Sequence, residues 1–155
     1  MEIAGIKSYE IIQNEYSLKK TLVIVGTGNN GGDGLVLARY LKLNNHNCSV
    51  VIVRTSKTPS EDFKNNLLVI RKLKIEIIKE WKKTKFKDYS LIVDAIFGVG
   101  LNRPLNSKVL DLVKKLNKLP IPICSLDLPT GLNPDNGQIF SDSILADTTI
   151  TYDFA

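Results

Sequence analysis

Apolar residues along this chain come in short blocks separated by polar turns. Thr21-Leu22-Val23-Ile24-Val25 is an apolar run stopped by Gly26, which predicts a strand buried on both faces. Leu35, Val36, Ala38, Leu41 and Leu43 then recur at helical spacing until Asn44-Asn45. Residues 48–53 predict a second strand. Thr58-Pro59-Ser60-Glu61 reads as a helix start: Thr58 caps, Pro59 takes the first helical position and Glu61 closes a capping box. Phe63, Leu67, Ile70 and Leu73 continue that helix. Residues 75–78 give a weaker third strand and residues 90–96 a strong fourth one. Val109, Leu112, Val113 and Leu116 mark another helix, followed by strands at 121–126 and 148–152. Buried strands alternating with helices predict an α/β fold, a mostly parallel sheet covered on both faces in three αβα layers.

At 155 residues the chain fits one domain, with no linker, repeat or low-complexity segment. Lys+Arg 21 against Asp+Glu 16 leaves a net charge of +5, which raises the question of a nucleic-acid or membrane partner. Much of that excess lies between Lys72 and Lys87 and at Lys114, Lys115 and Lys118, where lysines alternate with apolar residues. That pattern reads as a solvated face and argues against a nucleic-acid site. No stretch approaches the roughly 18 apolar residues of a membrane span, and the N-terminus lacks a secretory signal pattern. The expectation is a cytoplasmic protein. Cys48 and Cys124 lie in apolar runs and read as packed free thiols. Trp81 and Tyr152 read as packing residues.

In parallel sheets, ligands bind beyond the carboxyl ends of the strands. Gly26-Thr27-Gly28-Asn29-Asn30-Gly31-Gly32-Asp33-Gly34 comes directly after the first strand. Asp94-Ala95-Ile96-Phe97-Gly98-Val99-Gly100-Leu101-Asn102-Arg103-Pro104 spans the end of the fourth strand and the loop beyond it. Asp127-Leu128-Pro129-Thr130-Gly131 comes after the fifth. The first segment matches the Gly-x-Gly-x-x-Gly dinucleotide fingerprint. The ribose-binding acid expected at the end of the second strand is absent, however, since that place reads Val53-Arg54-Thr55. An ordinary nicotinamide oxidoreductase is therefore disfavoured. Arg54 is read as a solvated strand-end residue, with pairing to a ribose phosphate as the alternative. Asp94 and Asp127 could each be turn-capping aspartates. If they converge with Asn30, and with Thr130 adding an oxygen, they form a cluster suited to a hard cation. Zinc chemistry and a Ser/His/Asp arrangement lack ligands, since His46 is the only histidine and reads as exposed.

Together these segments resemble the YjeF N-terminal domain family, the NAD(P)H-hydrate epimerases. Gly-Asn-Asn-Gly-Gly-Asp-Gly, Asp94 to Pro104, and Ser125 to Gly137 are similar to that family's three signature segments in order and spacing, and Met1-Glu2-x-Ala4-Gly5 is similar to its opening helix. The resemblance covers essentially the whole chain. It implies a Rossmann-like domain, residues 1–155, that interconverts the R and S forms of hydrated NADH and NADPH (NADHX and NADPHX). A dehydratase would be the functional partner.

Carried over by position, Asn29, Asn30, Gly31, Gly32, Asp33, Gly98, Val99, Gly100, Leu101, Asn102, Arg103, Pro104 and Asp127 would contact substrate. Asn30, Asp94 and Thr130 would hold one potassium ion (K+), and Asp127 would be the acid/base. Thr130 stands where the family usually has Ser, which keeps the oxygen ligand. Relative to the family pattern the domain reads as shortened at both ends, which leaves homodimer formation open. Two chemical routes are compatible with these residues, through an iminium or through ring opening. The competing class is a non-catalytic nucleotide- or RNA-binding module, which would have no need of Asn30, Asp94 and Asp127 together.

Overall fold

The structure, a computed structural model, describes residues 1–152. Its strands are β1 (Thr21–Val25), β2 (Cys48–Ile52), β3 (Glu76–Ile78), β4 (Leu91–Ala95), β5 (Ile123–Leu126) and β6 (Thr148–Ile150). They form one sheet in the order β3-β2-β1-β4-β5-β6, with every pair parallel. The chain winds outward from β1 on one side and from β4 on the other. The order therefore reverses between these two strands, and a crevice opens beyond their carboxyl ends.

Alternation along each strand builds two cores. Val23, Val25, Val93 and Ala95 face helices α1 (Glu2–Glu15), α2 (Asn29–Leu43) and α3 (Glu61–Lys72). Leu22, Ile24, Ile92 and Ile96 face α4 (Ser107–Leu116), which contributes Val109, Leu112, Val113 and Leu116. Trp81 packs partly against this second core, and Tyr152 Oη lies 2.8 Å from Ser8 Oγ. Both cysteines are free, and burial pushes their thiols up, Cys48 to about 11 and Cys124 to about 12.

Several local expectations are corrected. The expected glycine loop is shorter, because α2 begins at Asn29 and takes Gly31, Gly32 and Gly34 into its first turns. Helix propensity disfavours glycine there by roughly 1 kcal/mol each, but close packing overrides it. A Cβ on Gly31 would overlap the Gly26 carbonyl. One on Gly34 would stand 2.7 Å from Ala95 Cβ and 2.8 Å from Val25 Cγ1. The cap of α3 is Ser60, whose Oγ accepts from the Phe63 amide at 3.2 Å; Thr58 belongs to the preceding turn. The last strand ends at Ile150, and β5 starts at Ile123, after Pro122. His46 is half-buried, with Nε2 3.4 Å from Tyr9 Oη.

Gly34→Ala should destabilise the protein by about 1–3 kcal/mol, the usual cost of overpacking. At Gly100 an added methyl group would have nothing within 4 Å, so Ala should be accepted there within about 0.5 kcal/mol. Chemical denaturation of the two variants compares them directly, and equal midpoints would contradict the close approach of α2 to the sheet.

Candidate functional site

A cleft of about 490 Å³ lies at the switch between β1 and β4. Of the substrate-contact residues expected from sequence, Asn29, Asn30 and Asp33 line it from α2, Gly98, Val99 and Gly100 from the loop after β4, and Asp127 from the end of β5. Gly31 and Gly32 are buried in the helix behind the wall. Leu101 turns into the second core, and Asn102, Arg103 and Pro104 are exposed beyond the cleft lining. Thr27, Thr55, Ser56 and Ser60 complete the far wall. Sequence reading missed these hydroxyls, although their place just after β1 and β2 was the available signal. They are tied together: the Thr27 amide donates to Thr55 Oγ1 at 2.9 Å, and the Ser60 amide donates to the Thr27 carbonyl at 3.0 Å.

Asp127 is held unusually. Its backbone sits in the left-handed region, with φ of 68°, where Asp and Asn are tolerated better than most residues. Its amide donates to the Ile150 carbonyl at 2.7 Å, and its Oδ2 accepts from the Val99 amide at 2.8 Å. The carboxylate lies so close to Gly98 that a Cβ there would overlap it. The strand end and the loop after β4 thus meet at this carboxylate.

Beneath that turn Asp94 is wholly buried. Oδ1 accepts from the Ile96 amide at 3.2 Å and the Thr130 hydroxyl at 2.7 Å. Oδ2 accepts from the Ser125 hydroxyl and the Thr130 amide, both at 2.9 Å. Burial raises its pKa against the pull of these donors. No Lys or Arg among the described residues pairs with it. Asn30 arrives from α2, its amide nitrogen donating to the Leu126 carbonyl at 3.1 Å. Its buried Oδ1 has no partner within the described protein. The orphaned amide oxygen of Asn30, the Asp94 carboxyl group without a cationic partner and the Thr130 hydroxyl offer oxygen donors only, a chemistry that suits a hard cation and not a soft one.

Asp33 stands one helical turn after Asn30. Burial is the main cause that raises its pKa to about 6, with the Asp127 and Asp62 charges adding to it and the terminal amino group opposing. That amino group is 3.8 Å from Asp33 Oδ1. The cleft therefore holds two carboxyl groups in different environments, beside the N-terminus of a helix. A helix N-terminus favours bound anions such as a pyrophosphate.

A family model described as "YjeF-related protein N-terminus" matches residues 1–155. NAD(P)H-hydrate epimerase of Weissella koreensis is 33% identical over 153 residues, which is 98% of this chain and 68% of that protein. A bifunctional NAD(P)H-hydrate repair enzyme, Nnr of Dictyoglomus turgidum, is 34% identical over 94% of this chain and 28% of its own length. The crystal structure of the yeast protein ynu0 superimposes with a TM-score of 0.81 at 32% identity, covering 96% of this chain and 67% of the yeast chain. The chain thus spans about two thirds of the Weissella and yeast proteins.

The raised pKa of Asp33 has a signed consequence. Between about pH 4 and pH 6 the native state binds more protons at this group than the unfolded chain does, so its contribution to stability falls as pH rises. Asp33→Asn should therefore gain on wild type across that window and exceed it at pH 7 by about 1–3 kcal/mol. Urea denaturation of both proteins at several pH values reads the difference; a gap independent of pH would contradict a buried Asp33.

Proposed function

The chain belongs to the YjeF-related N-terminal family, and on that premise we propose that it epimerises hydrated NADH and NADPH at the hydroxylated carbon of the nicotinamide ring. The observation that carries this reading is Asp127: a carboxylate in left-handed backbone, lining the cleft opposite the polar first turn of α2. Strained backbone of this kind collects at functional sites. The names of the relatives support the substrate class.

In the hydrate, the hydroxylated carbon is bonded to the ring nitrogen. A carboxyl group of the cleft protonates the hydroxyl oxygen, and the C–O bond breaks with its electron pair going to that oxygen as water. The nitrogen lone pair moves into the C–N bond, leaving a planar iminium. Water then adds to the opposite face and loses a proton to the Asp127 carboxylate, which gives the other epimer and restores the proton balance. Asp33, whose environment differs from that of Asp127, supplies the second proton-handling group, since carboxyl groups in different environments can divide acid and base roles. The helix N-terminus and the Thr27, Thr55 and Ser60 wall would orient the phosphates and ribose.

Potassium would be held by Asn30, Asp94 and Thr130, where a cation supplies the charge that neutralises a buried carboxylate and tightens the loops around it. A dehydratase acting on one epimer is the functional partner in this reading, and a cytoplasmic setting suits a repair activity on soluble cofactor. No helix among the described residues is long and apolar enough to cross a membrane.

Asp127→Asn keeps the left-handed backbone and can still accept from Val99, but cannot exchange a proton at neutral pH. It should retain hydrate binding and lose epimerisation by at least about a hundredfold. The assay couples the unreactive epimer to a dehydratase and follows recovery of reduced cofactor; near wild-type turnover would remove Asp127 from the mechanism. For the cation, potassium should raise the melting temperature with saturating dependence, relative to a large organic cation at matched ionic strength. Asn30→Ala should abolish that increment, and identical melting curves for wild type in the two salts would sink the site.

A further inference from the structure

A second cleft, of about 760 Å³, opens on the same edge of the sheet but on the α4 side. Its walls come from three separate places: the end of β2, the turn after β3 and the first turn of α4. It adjoins the first cleft in sequence, since Arg54 lines one and Thr55 the other. Val53 and Val109 give it an apolar floor, and half-buried Trp81 forms part of the wall.

Its charge is lopsided. Arg54, Lys79, Lys82 and Lys108 all line it, and none of them forms an ion pair among the described residues. The carboxylates at its rim are Glu80, already paired with Lys83 at 3.0 Å, and Asp111. Lys82 Nζ stands 5.7 Å from the centre of the Trp81 ring, so a cation and an aromatic surface are presented together. The α4 N-terminus adds a positive dipole end. An apolar floor, an aromatic wall and unpaired cations suit a ligand that is flat and aromatic at one end and anionic at the other. The end of β2 is also where doubly wound sheets hold the ribose of a nucleotide, with an arginine there serving a phosphate.

We propose that this second cleft binds a nucleoside phosphate, with the base against Trp81 and the phosphate among Arg54, Lys79, Lys82 and Lys108. As a site for a free nucleotide it does not depend on the epimerase reading; as the seat of a hydrated cofactor's far end it rests on that reading. The nucleotide has two sources, a free nucleotide or the far end of a hydrated cofactor seated in the first cleft.

Trp81 is the only tryptophan, so its fluorescence reports on this cleft alone. Titration of the full chain with ADP at low ionic strength should give a saturable change. The double variant Arg54→Ala/Lys79→Ala alters two exposed side chains, so it should melt like wild type while binding ADP at least about tenfold more weakly. Trp81→Leu, followed by calorimetry, should weaken ADP as well. No saturable change, inorganic phosphate binding as tightly as ADP, or a double variant indistinguishable from wild type would each overturn the proposal. If hydrated NADPH displaces ADP and its KM rises in the double variant with kcat unchanged, the cleft holds the substrate's own nucleotide end. If ADP binds while turnover of hydrated NADPH is unaffected, it takes a separate nucleotide. A wild-type chain that binds ADP without epimerising anything would end the functional reading and leave this site standing.

Discussion

Asp94 is the group on which the ligand-facing edge depends. A wholly buried carboxylate without a cationic partner is costly to keep unless its lone pairs are filled. Here they are filled by Ile96, Ser125 and Thr130, which joins the end of β4 to β5 and to the turn after it. The Thr130 hydroxyl also accepts from the Phe97 amide at 3.0 Å, so one side chain fastens the loop after β4 to the turn after β5. In the same turn Asp127 takes its left-handed conformation, and its carboxylate meets Val99. The buried Asp94 network and the cleft-lining carboxyl group of Asp127 thus share one turn, Asp127 standing three residues before Thr130.

The middle of the sheet was readable because β1 and the first residues of β4 are apolar runs, as strands buried on both faces tend to be. The ends of elements were less readable. Two serine- and threonine-type residues competed to cap α3, and spacing alone did not reveal that Ser60 reaches the third amide. The start of α2 was hidden by its glycines, which score as a loop until the carbonyl of Gly26 and the side chains of Val25 and Ala95 are seen crowding them. Asn30, Asp33 and Asp127 were legible as candidates because strand ends in a parallel sheet point to one edge. The hydroxyl wall of Thr27, Thr55 and Ser60 was not, since isolated threonines and serines carry no pattern. The second cleft draws one residue group from each of three distant segments, so it has no linear signature at all.

The two clefts divide the edge of the sheet by chemistry. Around the first are carboxyl groups, amide oxygens and hydroxyls, groups able to exchange or accept protons. Around the second are cations and an indole suited to holding an anion that does not react. The chain's basic excess is therefore not spread evenly along this edge: carboxyl groups line the first cleft, and positive charge gathers at the second. Electrostatic guidance of an anionic ligand toward that edge follows from this layout, and it weakens with salt.

The glycine contacts of α2 also bear on how the first cleft meets a ligand. With Gly31 against the Gly26 carbonyl and Gly34 against Val25 and Ala95, the first turn of the helix cannot shift without moving the sheet. Its amides and the side chains of Asn30 and Asp33 are preorganised, so little ordering is lost when a ligand arrives. The opposite wall is built otherwise. Val99 is exposed, and among the described residues its amide is tied to the site through Asp127. The cleft is thus an anvil facing a strap: a helix wedged against the sheet on one side, and on the other a loop held by hydrogen bonds to Thr130 and Asp127.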